Sequence, residues 1–234
     1  MQQQRTLREA WVSTLTDLGA AEGNDSLLIG PYAEGLADQL PAPTGDTTPS
    51  VATLFVTPVP DGAIPTATGF PDNSFDSAVA LSAWETPADV AGVVAEAVRV
   101  VRSGGTVWLG EIDARALTRS MPAARRYGLL YRDHPLVSDV ARFRFRAADT
   151  IGVDAVRAGL RSVTETRTDF PVAVVDSKAE AVEAVRSGIW PGTGMLEPTA
   201  VDELLMRVDE SFESPTRFPF VFTLPWILVR GRCS

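Results

Sequence analysis

The sequence predicts an α/β fold with a mostly parallel central sheet and helices on both faces. Three observations carry that prediction. Residues 75–81 and 106–112 are short apolar stretches of strand length, and a helix with one apolar stripe lies between them. That order, strand then helix then strand, calls for a right-handed crossover between parallel neighbours. Two further apolar segments, 26–29 and 51–57, precede it, and each runs into a Gly-Pro or Thr-Pro break.

Each element follows from local chemistry. Leu7, Trp11, Leu15 and Leu18 fall on one helical face, so residues 1–24 are expected as an N-terminal helix that Gly19 and Gly23 end. Gly30-Pro31 stops the first strand, and a short helix over 33–40 leads into a loop at 41–49. Residues 58–69 hold Pro58, Pro60, Pro65, Gly62 and Gly69 with no periodicity. Thr86-Pro87-Ala88-Asp89 is a helix start: a capping hydroxyl, a proline at the first position and an acid at the positive end. Val90, Val93, Val94, Ala97, Val98 and Val101 then form one stripe, which Gly104-Gly105 terminates. Further on, 150–159 is expected as helix. Arg142, Arg144 and Arg146 alternate with Phe143 and Phe145, as in a strand with one charged face. Ser177-Lys178-Ala179-Glu180 reads as a capping box. Val201, Leu204, Leu205, Val208 and Phe212 mark a last helix, and 218–229 a final strand.

Composition bounds the function. The 234 residues are 45% hydrophobic, enough for one ordinary domain over 1–234. The net charge of −9 argues against nucleic acid as a partner. One cysteine, Cys233, and one histidine, His134, exclude an internal disulfide and a Cys/His zinc site. The N-terminus has no signal-peptide core. The longest apolar run, 219–229, is about half of a ~20-residue membrane span. A cytoplasmic protein with no membrane span is expected, its oligomeric state left open.

Residues 70–112 carry a more specific signal. Phe70-Pro71-Asp72-Asn73-Ser74-Phe75-Asp76, then the helix, then Val98-Arg99-Val100-Val101-Arg102-Ser103-Gly104-Gly105, resemble the second half of class I S-adenosylmethionine-dependent methyltransferases of the type 11 group. Ser103 stands where that family has proline. The resemblance implies a Rossmann-like class I methyltransferase fold, with the methyl donor over the C-terminal ends of the first strands. It places the donor against Gly30, Pro31, Tyr32, Pro58, Phe70, Ser82 and Trp84. The family's acid at the end of the first strand is replaced by Leu28, its later glycines by Tyr32 and Glu34, and its ribose-binding acid by the Pro58 region. The motif is degenerate, so S-adenosylmethionine is expected to bind weakly or not at all. Two functions stay open. One is a methyltransferase acting on an unknown small molecule through an atypical donor site. The other is a non-catalytic methyltransferase-like protein that serves as a binding or partner subunit.

The remaining candidates lie in 113–146, where eight arginines face two acids, Asp133 and Asp139, between residues 115 and 146. The segment is expected as an Arg-rich lid or insertion. Arg126 and Arg132 are candidates for an anionic small molecule or an acidic protein partner. The alternative is a solvated surface whose arginines pair with the protein's own acids. His134 and Tyr131 are the candidate acid/base groups for methyl transfer. For His134 a turn position is the plainer reading, and for Tyr127 and Tyr131, one helical turn apart, packing is.

Overall fold

A computed structural model describes residues 25–29, 51–54, 68–82, 90–118, 126–212 and 216–234. The strands are β1 (Ser26–Ile29), β2 (Val51–Leu54), β3 (Phe75–Leu81), β4 (Val101–Ile112), β5 (Arg161–Val175) and β6 (Phe220–Arg232). The helices are α1 (Val90–Val100), α2 (Ala114–Thr118), α3 (Gly128–Tyr131), α4 (Pro135–Arg144), α5 (Ile151–Arg157), α6 (Lys178–Arg186) and α7 (Pro198–Ser211). The expected helices over 1–24 and 33–40 and the cap at Thr86 lie outside the described residues.

The chain divides into two compact units. The described residues of the first fall within Arg8–Ile112, Arg146–Thr168 and Trp226–Ser234. Those of the second fall within Asp113–Phe145 and Asp169–Pro225.

The sheet has the order β2-β1-β3-β4-β6-β5. β2, β1, β3 and β4 run parallel, with Leu28 opposite Val79 and Val79 opposite Trp108. β6 returns antiparallel to β4, with Leu109 opposite Val229. β1 and β3 are therefore adjacent and parallel at the sheet centre. Leu27, Ile29, Ala78, Ala80, Val107, Leu109, Ile227 and Val229 share one core cluster with α1 and α5. Leu28, Val79, Leu81, Trp108 and Leu228, which point the other way, are also buried. Strands buried on both faces read as continuous apolar runs, which is why they were legible.

The expected helix end at the glycine pair is corrected: α1 stops at Val100, Val101 opens β4, and Gly104-Gly105 lie within β4 where its register with β3 shifts. Gly104 has φ +79°, in the left-handed region, and a Cβ on Gly105 would lie 2.5 Å from the Asp76 carbonyl oxygen.

In the second unit α2 packs on α3 and α4, and α7 packs on α3 and α6. The capping box at α6 is present, with the Glu180 amide donating to Ser177 Oγ at 3.2 Å. The expected strand at 142–146 is corrected: Arg142, Phe143 and Arg144 end the helix α4. Pro135 at its start and two arginines in its last turn fit the helix ends.

Candidate functional site

In a parallel sheet the strand ends that carry ligands are the C-terminal ones. Here those ends are Ile29 of β1, Leu81 and Ser82 of β3, and Glu111 of β4. Register ties them together, since Ile29 lies opposite Ala80, and Leu81 opposite Gly110. Ser82 leaves β3 at φ +45°, its amide donating to the Gly110 carbonyl at 2.9 Å. Its hydroxyl donates to Glu111 Oε1 at 2.7 Å, and the Ile112 amide donates to the same oxygen at 2.8 Å. Glu111 is buried, so the strand edge holds a carboxylate in low dielectric with donors placed around it.

Glu111 was not singled out in the sequence. Its signal is a single acid closing the apolar run Val107-Trp108-Leu109-Gly110, at the end of a parallel strand.

The edge of β1 differs. Leu28 and Ile29 are each 2% exposed, so the position where the family keeps an acid is a buried apolar side chain. Among the described residues, Ser82 and Glu111 are polar side chains at these strand ends, the buried Asp113 follows β4, the Ser82 hydroxyl is committed to Glu111, and Asp113 accepts from the Ala116 amide at 3.0 Å. Among its described residues, β1 therefore ends without a polar side chain. Gly30, Pro31, Tyr32, Pro58 and Trp84 lie outside the described residues.

Phe70 is corrected. It is half-buried against Phe75, with ring centroids 5.0 Å apart, and packs on the core cluster. Phe75 opens β3 and Ser82 follows its end, so the two sites are separated by roughly 20 Å of strand. Phe70 belongs to a lock at the opposite end of β3, another feature the sequence reading missed. The buried Glu96 accepts from the Thr68 amide at 2.7 Å and from the Thr68 hydroxyl at 2.6 Å. Arg99 donates to both Glu96 oxygens at 2.7 Å, to the Phe70 carbonyl at 2.8 Å, and to Asp72. The Arg99 hydrogen bonds, with help from Thr68 and against the effect of burial, hold the Glu96 carboxyl down at about 2. Arg102 extends the lock by pairing with Asp76 and Asp25 and donating to the Ser74 carbonyl. The Phe-Pro-Asp turn and the start of β3 are thus tied by Arg99 to the end of α1 and by Arg102 to the start of β4.

In the second unit, Tyr131 is 2% exposed and its hydroxyl donates to the Pro191 carbonyl at 2.7 Å. Burial pushes its phenol far above the ordinary range. Tyr127 packs edge-on against it, 6.3 Å between centroids. His134 is half-buried at the N-cap of α4, and its side chain makes no capping bond. Arg126 lies 3.9 Å from the Phe212 ring centroid and 4.5 Å from that of Phe220. It donates to the hydroxyl and carbonyl of Ser211 and to Thr216 Oγ1. Arg132 bridges Asp133 at 2.8 Å, and Arg207 reaches the same carboxylate. Hydrogen bonds from Arg132, then Arg207, hold Asp133 down at about 2. Both candidate arginines therefore donate to the protein's own groups. Among the described residues no cluster of three or more metal-ligating side chains occurs, and no helix is long and apolar enough to cross a membrane.

Comparison with known proteins places the fold. Residues 60–109 match the profile of a methyltransferase domain family. A protein from Anabaena variabilis, described as a methyltransferase of an antibiotic biosynthesis pathway, superposes with a TM-score of 0.55 at 13% identity, over 97% of this chain and 96% of that one. A cyclopropane-fatty-acyl-phospholipid synthase-like protein from Lactobacillus casei gives 0.47 at 19% identity, over 98% and 91% of the two chains. Phosphoethanolamine N-methyltransferase 2 of Haemonchus contortus, solved with S-adenosyl-L-methionine, gives 0.49 at 10% identity, over 95% of this chain and 52% of that one. No curated protein sequence matches.

Proposed function

We propose, from the premise that this chain is built on the class I methyltransferase fold, that it is a methyltransferase-type protein for a small molecule with an atypical donor site of low affinity. The observation that carries the reading is the contrast at the strand ends. The end of β1 is apolar and buried, whereas the ends of β3 and β4 hold the Ser82–Glu111 pair. S-adenosylmethionine would supply an electrophilic methyl group on a sulfonium centre. The chain's own part is to hold and orient: Ser82 and Glu111 present a fixed polar edge, and backbone groups of the neighbouring loops supply the rest. A charged hydrogen bond is worth roughly 1.5–3 kcal/mol, so replacing the β1 acid by Leu28 alone lowers donor affinity by about one to two powers of ten.

Within this reading His134 is the acid/base candidate. Tyr131 has a packing role, because its hydroxyl is buried and occupied. Arg126 and Arg132 are structural for the same kind of reason. The single cysteine fits a cytoplasmic setting. The second reading, a non-catalytic binding subunit, is favoured by Leu28 itself. Calorimetric titration with S-adenosylmethionine and S-adenosylhomocysteine separates them. Weak, saturable binding that Glu111→Gln alters supports the first. No heat of binding at millimolar ligand rejects it in favour of the second.

A further inference from the structure

We propose that this chain forms a twofold homodimer by antiparallel pairing of the outer edge of β5, residues Thr164–Thr168, with the same residues of a second copy. Among the described residues β5 is the last strand of the sheet, with β6 on one side only. Its outer edge therefore presents backbone N–H and C=O groups in the arrangement a further strand would take. Thr164, Glu165, Thr166 and Arg167 are exposed, so the strand meets solvent on both faces here.

Successive side chains alternate between those faces. Val163, Glu165 and Arg167 share one face. Val163 packs on the core cluster, and Glu165 Oε2 lies 4.0 Å from where a Cβ on Gly152 of α5 would sit. Thr164, Thr166 and Thr168 share the other face.

The sequence Thr-Glu-Thr-Arg-Thr has reversed charges about its centre. A twofold axis at Thr166 sets Glu165 opposite Arg167 of the second copy and Arg167 opposite its Glu165. It also sets Thr164 opposite Thr168, and Thr166 opposite itself. Opposite charges and threonine pairs across strands both stabilise antiparallel pairing. Neighbouring registers fail. Centring on Glu165 sets two carboxylates face to face, and centring on Arg167 sets two guanidiniums face to face. A one-residue slip moves the charged face onto the threonine face. Charged edges commonly prevent self-association, but this arrangement removes the repulsion in one register alone. In the single copy Glu165 and Arg167 bridge each other at 2.9 Å and stay 41% and 65% exposed, so both reach a partner by turning outward. The patch is small, and the dimer is accordingly weak and concentration-dependent.

Sedimentation velocity of the full chain over a concentration series tests this, in a Cys233→Ser background for the crosslinking arm. A reversible monomer–dimer equilibrium is expected. Glu165→Arg and Arg167→Glu should each weaken dimerisation about tenfold or more, because each sets like charges opposite. The exchange of both, Glu165→Arg with Arg167→Glu, restores the alternation and should restore the dimer. Thr166→Cys should crosslink to itself under oxidising conditions. Circular dichroism confirms that these exposed substitutions leave the fold intact. A chain that stays monomeric at its highest soluble concentration overturns the proposal. So does a dimer indifferent to the single reversals, or one that the double exchange does not rescue.

Discussion

Glu96 shows how much one side chain can hold. Its carboxylate collects donors from Thr68 and Arg99 and thereby fixes the turn before β3 to α1. A carboxyl held at about 2, against 4.5 when free, stabilises the folded state above about pH 4.5. That stabilisation is lost as pH falls toward 2. Glu96→Gln should therefore cost on the order of 2 kcal/mol at pH 7, and the gap to the parent should close as pH drops below 4. Urea denaturation at several pH values measures it; a gap independent of pH contradicts the charge argument. Ser82 offers a second test, since it combines φ +45° with a hydrogen bond to the buried Glu111. Ser82→Ala loses the bond and keeps the strain, a cost of about 1–2 kcal/mol. Ser82→Gly loses the bond but relieves the backbone, so its thermal midpoint should fall less than that of the alanine variant. The Glu96–Arg99 spacing and the acid ending β4 were present in the sequence. Their partners Thr68, Phe70 and Ser82 lie 28, 29 and 29 residues away, and periodicity does not report such contacts.

At the scale of elements, the segments read correctly were those whose burial writes a pattern. α1 buries Val90, Val93, Val94, Ala97 and Val100, a 3.6-residue stripe, and β3 closes on the buried apolar run Ala78-Val79-Ala80-Leu81. α4 was misread because Arg-Phe-Arg-Phe-Arg alternates like a strand while Phe143 and Arg144 in fact face solvent from a helix. Exposed residues carry no face preference for a period to reveal. Pro135 at the first helical position was the better signal. The glycine pair within β4 allows a direct check. Gly105→Ala drives a methyl group into the Asp76 carbonyl, and should cost about 1–3 kcal/mol in denaturant titration. An unchanged midpoint would mean that the β3–β4 approach is looser than the structure has it.

For the whole molecule, the fold was legible from a stretch of about forty residues, because a crossover unit constrains its neighbours. The proposed donor site was legible only in outline. Leu28, at the position where the resemblance implies an acid, is buried in β1. The Ser82–Glu111 pair, formed by two strands far apart in sequence, emerged from the structure alone. These two facts together support the proposed reading, a methyltransferase fold with a donor site of low affinity. Isothermal titration of the purified chain with S-adenosylmethionine tests it most directly. The account predicts weak, saturable binding, well above micromolar in dissociation constant and changed by Glu111→Gln. Micromolar or tighter binding that Glu111→Gln leaves untouched would contradict it.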